Sequence, residues 1–290
     1  MGQLRNVTAD DGVTLAVHDF GGDGPPLLLA HATGYCASIW QPAAVDLRNH
    51  FRCIAPDCRA HGASGRPSPA GFGWRRLGTD VLAIVDALGL AGPLFGAGHS
   101  AGATGVALAE VERPGTFAGL WCFEPVLFPP RPQDEEETED ASNPMAAAAR
   151  RRRDHFADRD EARAHYAKRE PFVRFTAAAL GEFVRCGLVD DESRGGLRLA
   201  CRPEDEARFY EMGGFDETWL AVESLACPVT FATGDQPGAF GPPHAEVLAG
   251  RVPFGQADVL PGLSHFGPLE DPTAVAASIL DSLGGARPPA

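Results

Sequence analysis

The sequence Gly98-His99-Ser100-Ala101-Gly102 lies between a short apolar run at 93–95 and a stretch rich in helix-forming residues at 101–111. This order predicts a buried strand, a sharp turn and a helix. A serine at the tip of such a turn needs glycines two residues before and after it, because larger side chains would collide across the bend. The pattern indicates Ser100 as a candidate nucleophile. The alternative is a glycine- and serine-containing turn with no catalytic role, since a chain with 34 glycines can contain this motif by chance.

Apolar runs alternate with helical patterns over much of the chain. Further runs that predict strands lie at 26–30, 51–55, 117–123, 228–233 and 257–260. Residues 80–90 give the clearest amphipathic helix between them, with Gly89 near its end. Strands that alternate with helices predict an α/β fold with a mostly parallel central sheet flanked by helices.

The alternation stops between residues 129 and 225, where helical patterns dominate and no strand is predicted. Asn143-Pro144 predicts the cap and first turn of one helix, and Asp158 with Glu161 predicts a capping box for another. We therefore expect a helical cap at 129–225, inserted into an α/β core made of residues 1–128 and 226–290.

Two charged clusters lie in this insertion. Residues 134–140 are mostly acidic, which predicts a solvated loop rather than a calcium site, because the spaced ligands of a calcium loop are missing. The four arginines at 150–153 are expected to form a solvated helix face rather than an anion site.

Composition narrows the classes of partner. A formal net charge of −14 argues against nucleic acid and anionic membranes, which would repel the chain. The start of the sequence has no apolar signal region, and no stretch approaches the roughly 18 apolar residues of a membrane span, so we expect a cytoplasmic protein. The seven cysteines lack C-x-x-C spacing and predict buried thiols rather than disulfides or a zinc site.

A serine nucleophile needs a base that is itself oriented by a carboxylate. Nine histidines are present. His265 lies between the last predicted strand and the last predicted helix, which places it at the carboxyl edge of the sheet together with Ser100. The sequence therefore predicts His265 as the base.

The chain resembles the α/β-hydrolase family in four segments. These are His31-Ala32-Thr33-Gly34, residues 56–64, the turn around Ser100, and His265 followed by Glu270. The resemblance covers most of the chain except the insertion. It implies a serine hydrolase or esterase-like protein with a helical cap, and catalytic groups in the order serine, acid, histidine.

The resemblance also implies an oxyanion hole made by the backbone N–H groups of Thr33 and Ala101. Ala32 stands where glycine is usual in the family. We expect the substrate pocket to be walled by His31, Tyr35 and Trp40, although core packing would explain Tyr35 and Trp40 equally well.

Two further histidines are interpreted as structural. His99 is expected to point away from the catalytic edge, and His61 to fix the loop after the fourth strand.

The position of the acid is less regular. Many family members place it three residues beyond a glycine after the seventh strand, but Pro237 occupies that position here. Glu124 follows the sixth strand, where some haloalkane dehalogenases of the family carry their acid, and a carboxylate buried at a strand end needs a partner such as His265. We therefore predict Glu124 as the acid, with Asp235 as the alternative.

Together these features predict a serine hydrolase that cleaves an ester, lactone or related acyl bond of a small to medium apolar substrate through an acyl-enzyme, without metal or organic cofactor. Dehalogenase chemistry is disfavoured because the family uses aspartate as the nucleophile for it. Carbon–carbon bond hydrolysis and haloperoxidase-like activity remain alternatives on the same triad. A further alternative is a small-molecule sensor that retains the triad.

Overall fold

The computed structural model describes residues 3–90, 92–129, 143–212 and 215–284. Its strands are β1 (Gln3–Thr8), β2 (Thr14–Gly21), β3 (Pro26–Ala30), β4 (Arg52–Pro56), β5 (Phe95–His99), β6 (Gly119–Phe123), β7 (His155–Phe156), β8 (Leu188–Asp190), β9 (Leu197–Leu199), β10 (Val229–Gly234) and β11 (Gly255–Leu260). Its α-helices are α1 (Gln41–Leu47), α2 (Trp74–Leu88), α3 (Ala101–Glu112), α4 (Pro144–Arg150), α5 (Arg159–Tyr166), α6 (Ala177–Cys186), α7 (Pro203–Tyr210), α8 (Phe215–Ala221), α9 (Pro242–Arg251), α10 (Gly267–Glu270) and α11 (Pro272–Leu283).

The main sheet has the strand order β1-β2-β4-β3-β5-β6-β10-β11. Strand β2 runs antiparallel to β1 and β4, and the other neighbouring strands are parallel. The carboxyl ends of β5, β6 and β10 therefore meet at one edge. Ser100 and Glu124 directly follow two of these strands, so the topology brings them together although 24 positions separate them in the sequence.

Helices cover both faces of this sheet. Apolar residues of α1 and α11 pack on one face, and those of α2, α3 and α9 pack on the other. The continuous apolar runs of β3 and β6 are buried, as expected for strands covered on both sides. The predicted α/β fold with a mostly parallel sheet is confirmed. Among the described residues, no helix is long and apolar enough to cross a membrane.

Strand β5 differs from the prediction because it runs through both glycines of the Phe95–His99 segment, instead of ending at Phe95. Sequence patterns favour a turn for glycine-rich segments, but here the glycines serve close packing. A Cβ on Gly96 would lie 2.7 Å from Leu120 Cδ2. Helix α2 begins at Trp74, six residues before the predicted start, and ends at Leu88, two residues before the predicted end, with Gly89 in the left-handed conformation after it.

The elements between β6 and β10 cover the carboxyl edge of the sheet. Their helices begin as predicted: the Asn143 side chain caps α4, and Asp158 Oδ1 accepts a hydrogen bond from Glu161 N at the start of α5. The expectation of a purely helical insertion is wrong, because β7, β9 and β8 form a small antiparallel sheet there. These strands are two or three residues long, too short for a sequence pattern to reveal. The acidic run at 134–140 lies outside the described residues.

The insertion is joined to the core close to His265. Arg174 Nε lies 2.7 Å from Glu270 Oε1, and Thr176 N donates a hydrogen bond to Leu269 O at 2.9 Å. Glu270 also accepts hydrogen bonds from Ser264 N and Ser264 Oγ. One carboxylate therefore links the cap to the loop that carries His265.

Candidate active site

Ser100 occupies the strained turn between β5 and α3, with φ +54° and ψ −121°. The two flanking glycines make this turn possible. A Cβ on Gly98 would lie 2.5 Å from Ala103 N, and one on Gly102 would lie 2.5 Å from Ala30 O. Both contacts are with backbone atoms, which cannot rotate away as a flexible side chain would. The turn therefore holds Ser100 at the head of the helix.

Glu124 is the carboxylate that the structure places against His265. His265 Nδ1 donates a hydrogen bond to Glu124 Oε2 at 2.6 Å. The other oxygen, Oε1, accepts hydrogen bonds from Thr233 Oγ1 at 2.8 Å and Gly234 N at 3.0 Å. Glu124 is only 5% exposed, and both of its oxygens are occupied, so the side chain is fixed in one orientation.

Asp235, the alternative acid, lies in an exposed turn. Its Oδ1 accepts a hydrogen bond from Gly262 N at 2.8 Å and another from Gln236 Nε2 at 3.3 Å. Within the described part of the chain, it makes no hydrogen bond or ion pair with His265. The geometry therefore favours Glu124 over Asp235 as the partner of the histidine.

His99 contacts His265, contrary to the expectation that its side chain points away from the catalytic edge. Its Nε2–H donates to the backbone oxygen of His265 at 2.7 Å, and the two ring centroids are 4.9 Å apart. Burial lowers the pKa of His99 well below its usual value, and the neighbouring His265 adds to this effect. A neutral His99 therefore holds the backbone of the base.

Phe240 stacks on the His265 ring, with centroids 4.6 Å apart and an interplanar angle of 7°. Sequence reasoning missed this contact because Phe240 lies in the connection between β10 and α9, 25 positions from His265. The one signal in the sequence is that this connection follows the carboxyl end of a predicted strand, on the same edge of the sheet as His265.

Two backbone N–H groups remain free at the predicted oxyanion hole. Ala101 is the first residue of α3, where an N–H has no intrahelical acceptor. Over the described residues, neither Ala101 N nor Thr33 N donates a hydrogen bond to the protein. Ala32 makes no difference to the number of donors, since only its side chain departs from the family pattern.

Two neutral histidines fix the loop that carries Thr33. His61 Nε2 accepts a hydrogen bond from Gly34 N at 2.9 Å, while its Nδ1–H donates to Arg59 O. His31 Nε2 accepts from Cys58 N, and its Nδ1–H donates to Ala32 O. Each ring uses one donor and one acceptor, which is possible only for neutral imidazole.

Burial lowers the pKa of both His31 and His61 to about 4, and the charge of His61 contributes to the shift of His31. The interpretation of His61 as a loop-fixing residue agrees with its hydrogen bonds. His31 serves the same purpose.

A cavity of about 590 Å³ lies between the cap and the core, and Ser100, His265, Thr33 and Tyr35 line it. His31 and Trp40, two of the three expected pocket residues, are absent from its lining. His31 is 1% exposed and turned into its loop, and Trp40 is fully buried in the core under α1. The expectation is corrected for these two residues, because apolar and backbone contacts draw them away from the cavity.

Ser100 Oγ and His265 line this cavity together but are not hydrogen-bonded to each other over the described residues. Such bonds are often long in the unliganded state and tighten in the substrate complex. The arrangement places a serine hydroxyl and an imidazole held by a carboxylate around one space, as nucleophilic catalysis by serine would require. Within the described ranges, no group of three or more His, Cys, Asp or Glu side chains is placed to hold a metal ion.

The arginines at 150–153 do not share one solvated face. Arg150 forms ion pairs with Glu204 in α7 and with Glu211, the residue after α7. Arg151, Arg152 and Arg153 line the cavity. The expectation of one solvated helix face is wrong because α4 ends at Arg150; Arg151 and Arg153 are exposed as expected, but they lie beyond the helix and line the cavity.

A family model described as "Alpha/beta hydrolase family" matches residues 27–278. The chain therefore belongs to the alpha/beta hydrolase family, as its motifs predicted. Among individual proteins, it is 39% identical to haloalkane dehalogenase 2 of Mycobacterium tuberculosis over 69 residues, which are 24% of each chain. The match thus spans about a quarter of that relative.

Solved structures match over nearly the whole chain at lower identity. E-2-(acetamidomethylene)succinate hydrolase aligns with a TM-score of 0.80 and 23% identity, covering 98% of this chain and 100% of the other. The enol-lactonase from Burkholderia xenovorans LB400 aligns with a TM-score of 0.71 and 22% identity, covering 97% and 100%. These likenesses show the fold alone.

Proposed function

We propose that the protein is a serine hydrolase that cleaves an ester, lactone or related acyl bond through an acyl-enzyme. The observation that carries this proposal is the hydrogen bond from His265 Nδ1 to Glu124, whose other oxygen is also hydrogen-bonded, while His265 and Ser100 line the same cavity. A carboxylate in this position holds the imidazole in the tautomer whose Nε2 is free to accept a proton.

In the proposed reaction, Ser100 Oγ attacks the acyl carbon while its proton passes to His265 Nε2. The carbonyl π electrons move onto the oxygen, and the N–H groups of Thr33 and Ala101 stabilise this oxyanion. Each such donor contributes about 3–4 kcal/mol to the stability of a transition state of this kind.

The tetrahedral intermediate then collapses and the bond to the leaving alkoxide breaks, with His265 returning the proton to it. Water attacks the acyl-enzyme in the same way, again with His265 as base, and releases the carboxylic acid and free Ser100.

The identity of the nucleophile argues against transferring the name of the dehalogenase relative to this chain. A serine ester formed with an acyl group is hydrolysed through the oxyanion hole, whereas an ether formed by alkyl transfer to serine has no carbonyl for water to attack. The N–H groups of Thr33 and Ala101, which have no protein acceptor among the described residues, also fit acyl chemistry, because an oxyanion formed from a carbonyl needs such donors.

The test is turnover of 4-nitrophenyl acetate and butyrate by the wild type, Ser100→Ala and a matched control, Ser224→Ala. Ser224 is an exposed serine outside the cavity, with its hydroxyl bonded to Ala221 O. We expect many turnovers by the wild type and the control, and a loss of at least 1000-fold in Ser100→Ala. A single slow turnover of the wild type would instead support a sensor.

A fluorophosphonate probe gives a second, direct readout. We expect peptide mapping to find the adduct on Ser100, and no adduct after prior denaturation, because the reactivity depends on His265 and Glu124. Labelling of another serine with equal efficiency would contradict the assignment.

A further inference from the structure

The cavity over Ser100 carries positive charge in a chain whose formal net charge is −14. Its lining contains four guanidinium groups and two carboxylates; these are Arg151, Arg152, Arg153, Arg169, Glu170 and Glu206. The lining therefore has a formal charge of +2, taken as four positive and two negative side chains. A concave site of one sign concentrates counter-ions of the other sign, so the cavity favours an anionic ligand although the whole protein repels one.

Two of the arginines are committed to the protein itself. Arg152 is paired with Glu206, which is nearly buried. Arg153 Nη2 lies 2.6 Å from Glu161 Oε1. Their charges are compensated locally, and these two pairs hold the turn after α4 against α7 and α5.

Arg151 and Arg169 are different. Among residues 3–90, 92–129, 143–212 and 215–284, neither has a carboxylate within ion-pair distance. Arg169 Nη1 donates to His165 O at 2.9 Å, which leaves its other N–H groups free. Both side chains are exposed, so they lie where the cavity opens to solvent. Two guanidinium groups without a carboxylate partner in the described ranges thus line the same cavity as Ser100.

The cavity also has an aromatic wall. Tyr35, Tyr166, Phe172 and Phe266 line the same cavity, and Tyr35 and Phe172 are packed with ring centroids 6.4 Å apart. A short carbon chain can lie along this wall, with a charged end beside the arginines.

We propose that the substrate is an acyl compound with a carboxylate group remote from the scissile bond, and that Arg151 and Arg169 bind this carboxylate. The inference rests on the proposed serine hydrolase function, because the bond to be cleaved must lie at Ser100. Planar guanidinium groups match the two oxygens of a carboxylate and bind it with charge-assisted hydrogen bonds. The arginines therefore select for the acid half of the substrate, while Ser100 and the oxyanion hole act on its ester.

Binding can be measured apart from catalysis in Ser100→Ala. The probes are monomethyl succinate, monomethyl glutarate and monomethyl adipate, which vary the distance between ester and carboxylate. Each has an uncharged partner of the same shape, in which isopropyl replaces the carboxylate: methyl 4-methylpentanoate, methyl 5-methylhexanoate and methyl 6-methylheptanoate. We expect at least one acid to bind at least 10-fold more tightly than its partner by NMR titration, and this preference to shrink at high salt.

Arg151→Gln and Arg169→Gln, made in the Ser100→Ala background, test the residues. Each should weaken binding of the preferred monoester about 10-fold and leave binding of its uncharged partner within twofold, which also shows that the variant is folded. Arg163→Gln is the matched control. Arg163 is an exposed arginine of the same cap that does not line the cavity, so its loss should change neither affinity by more than twofold.

Two results would overturn the proposal. One is an affinity for all three acids within twofold of that for their uncharged partners. The other is a loss in Arg163→Gln as large as in Arg151→Gln and Arg169→Gln, which would show a general effect of charge. Failure of the hydrolase proposal would give a different result. The wild type would cleave none of the six esters, while Ser100→Ala would still bind the monoesters with a carboxylate more tightly than their uncharged partners.

Discussion

Replacement of Glu124 by glutamine tests the catalytic assignment most sharply. The glutamine has the same shape, and its oxygen can keep the hydrogen bonds from Thr233 Oγ1 and Gly234 N that Glu124 Oε1 accepts. Its NH2 group then faces His265 Nδ1, where Glu124 Oε2 accepts a hydrogen bond at 2.6 Å. The imidazole must then present a lone pair at Nδ1 and carry its proton at Nε2, so it cannot take the proton of Ser100.

The size of the effect follows from this change of tautomer. The corresponding carboxylate-to-amide change in serine proteases lowers kcat about 10⁴-fold, and we expect a loss of the same order here, about 5 kcal/mol in activation free energy. The loss should be in kcat, with KM changed little, because Glu124 is buried behind His265 and does not line the cavity.

The assay is steady-state hydrolysis of 4-nitrophenyl butyrate, with thermal unfolding as the check that Glu124→Gln is folded. Asp235→Asn is the matched control, and we expect near wild-type kcat because this carboxylate only accepts hydrogen bonds in an exposed turn. A collapse of kcat in Asp235→Asn, with Glu124→Gln close to wild type, would refute the assignment of Glu124.

Three further predictions concern the scaffold of the site. Gly102→Ala should prevent correct folding of the turn, seen as little soluble protein or a large fall in Tm, because its Cβ would lie 2.5 Å from Ala30 O. Phe240→Leu should lower kcat about 2- to 10-fold by removing the stack on His265, with KM nearly constant; an unchanged kcat would contradict a positioning role. Between pH 7 and pH 5, the free energy of unfolding should fall by about 2 kcal/mol for each of two neutral histidines in the oxyanion loop, measured by urea denaturation.

The direction of this pH effect follows from the lowered pKa values of His31 and His61, about 4 in the folded protein against 6.5 as the ordinary value. Between these values the unfolded chain binds protons that the folded chain excludes. The stabilisation is therefore complete above pH 6.5 and is lost as the pH falls towards 4. Equal free energies of unfolding at pH 7 and pH 5 would contradict the neutral state of both rings.

Local chemistry explains which expectations could be drawn from the sequence. Three features depend on residues only a few positions apart: the turn at Ser100, the left-handed Gly89 and the cap of α4 at Asn143. The steric and hydrogen-bonding properties of these residues can be read directly from the sequence. The carboxyl-edge location of His265 follows equally well, because strand order and parallel pairing are general properties of an α/β sheet.

The remaining features depend on contacts between distant segments. Packing determines the direction of the His99 side chain, the stack of Phe240 on His265 and the burial of Trp40 in the core. The hydrophobic periodicity of the sequence does not predict such contacts. The three short cap strands escaped detection for a related reason, since two or three residues carry no pattern and are stabilised by their neighbours.

By itself, the sequence determined the family, the α/β architecture and the identity of Ser100 and His265 as candidates, because these depend on glycine sterics and on the alternation of strands and helices. It left two carboxylates open for the acid and favoured a solvated face for the arginines at 150–153. Both points depend on the tertiary structure. It brought Glu124 Oε2 within 2.6 Å of His265 and left Asp235 in a turn. It also placed the arginines beyond α4 in the lining of the cavity. The physical reason is that charge partners and cavity walls are set by three-dimensional packing rather than by order along the chain.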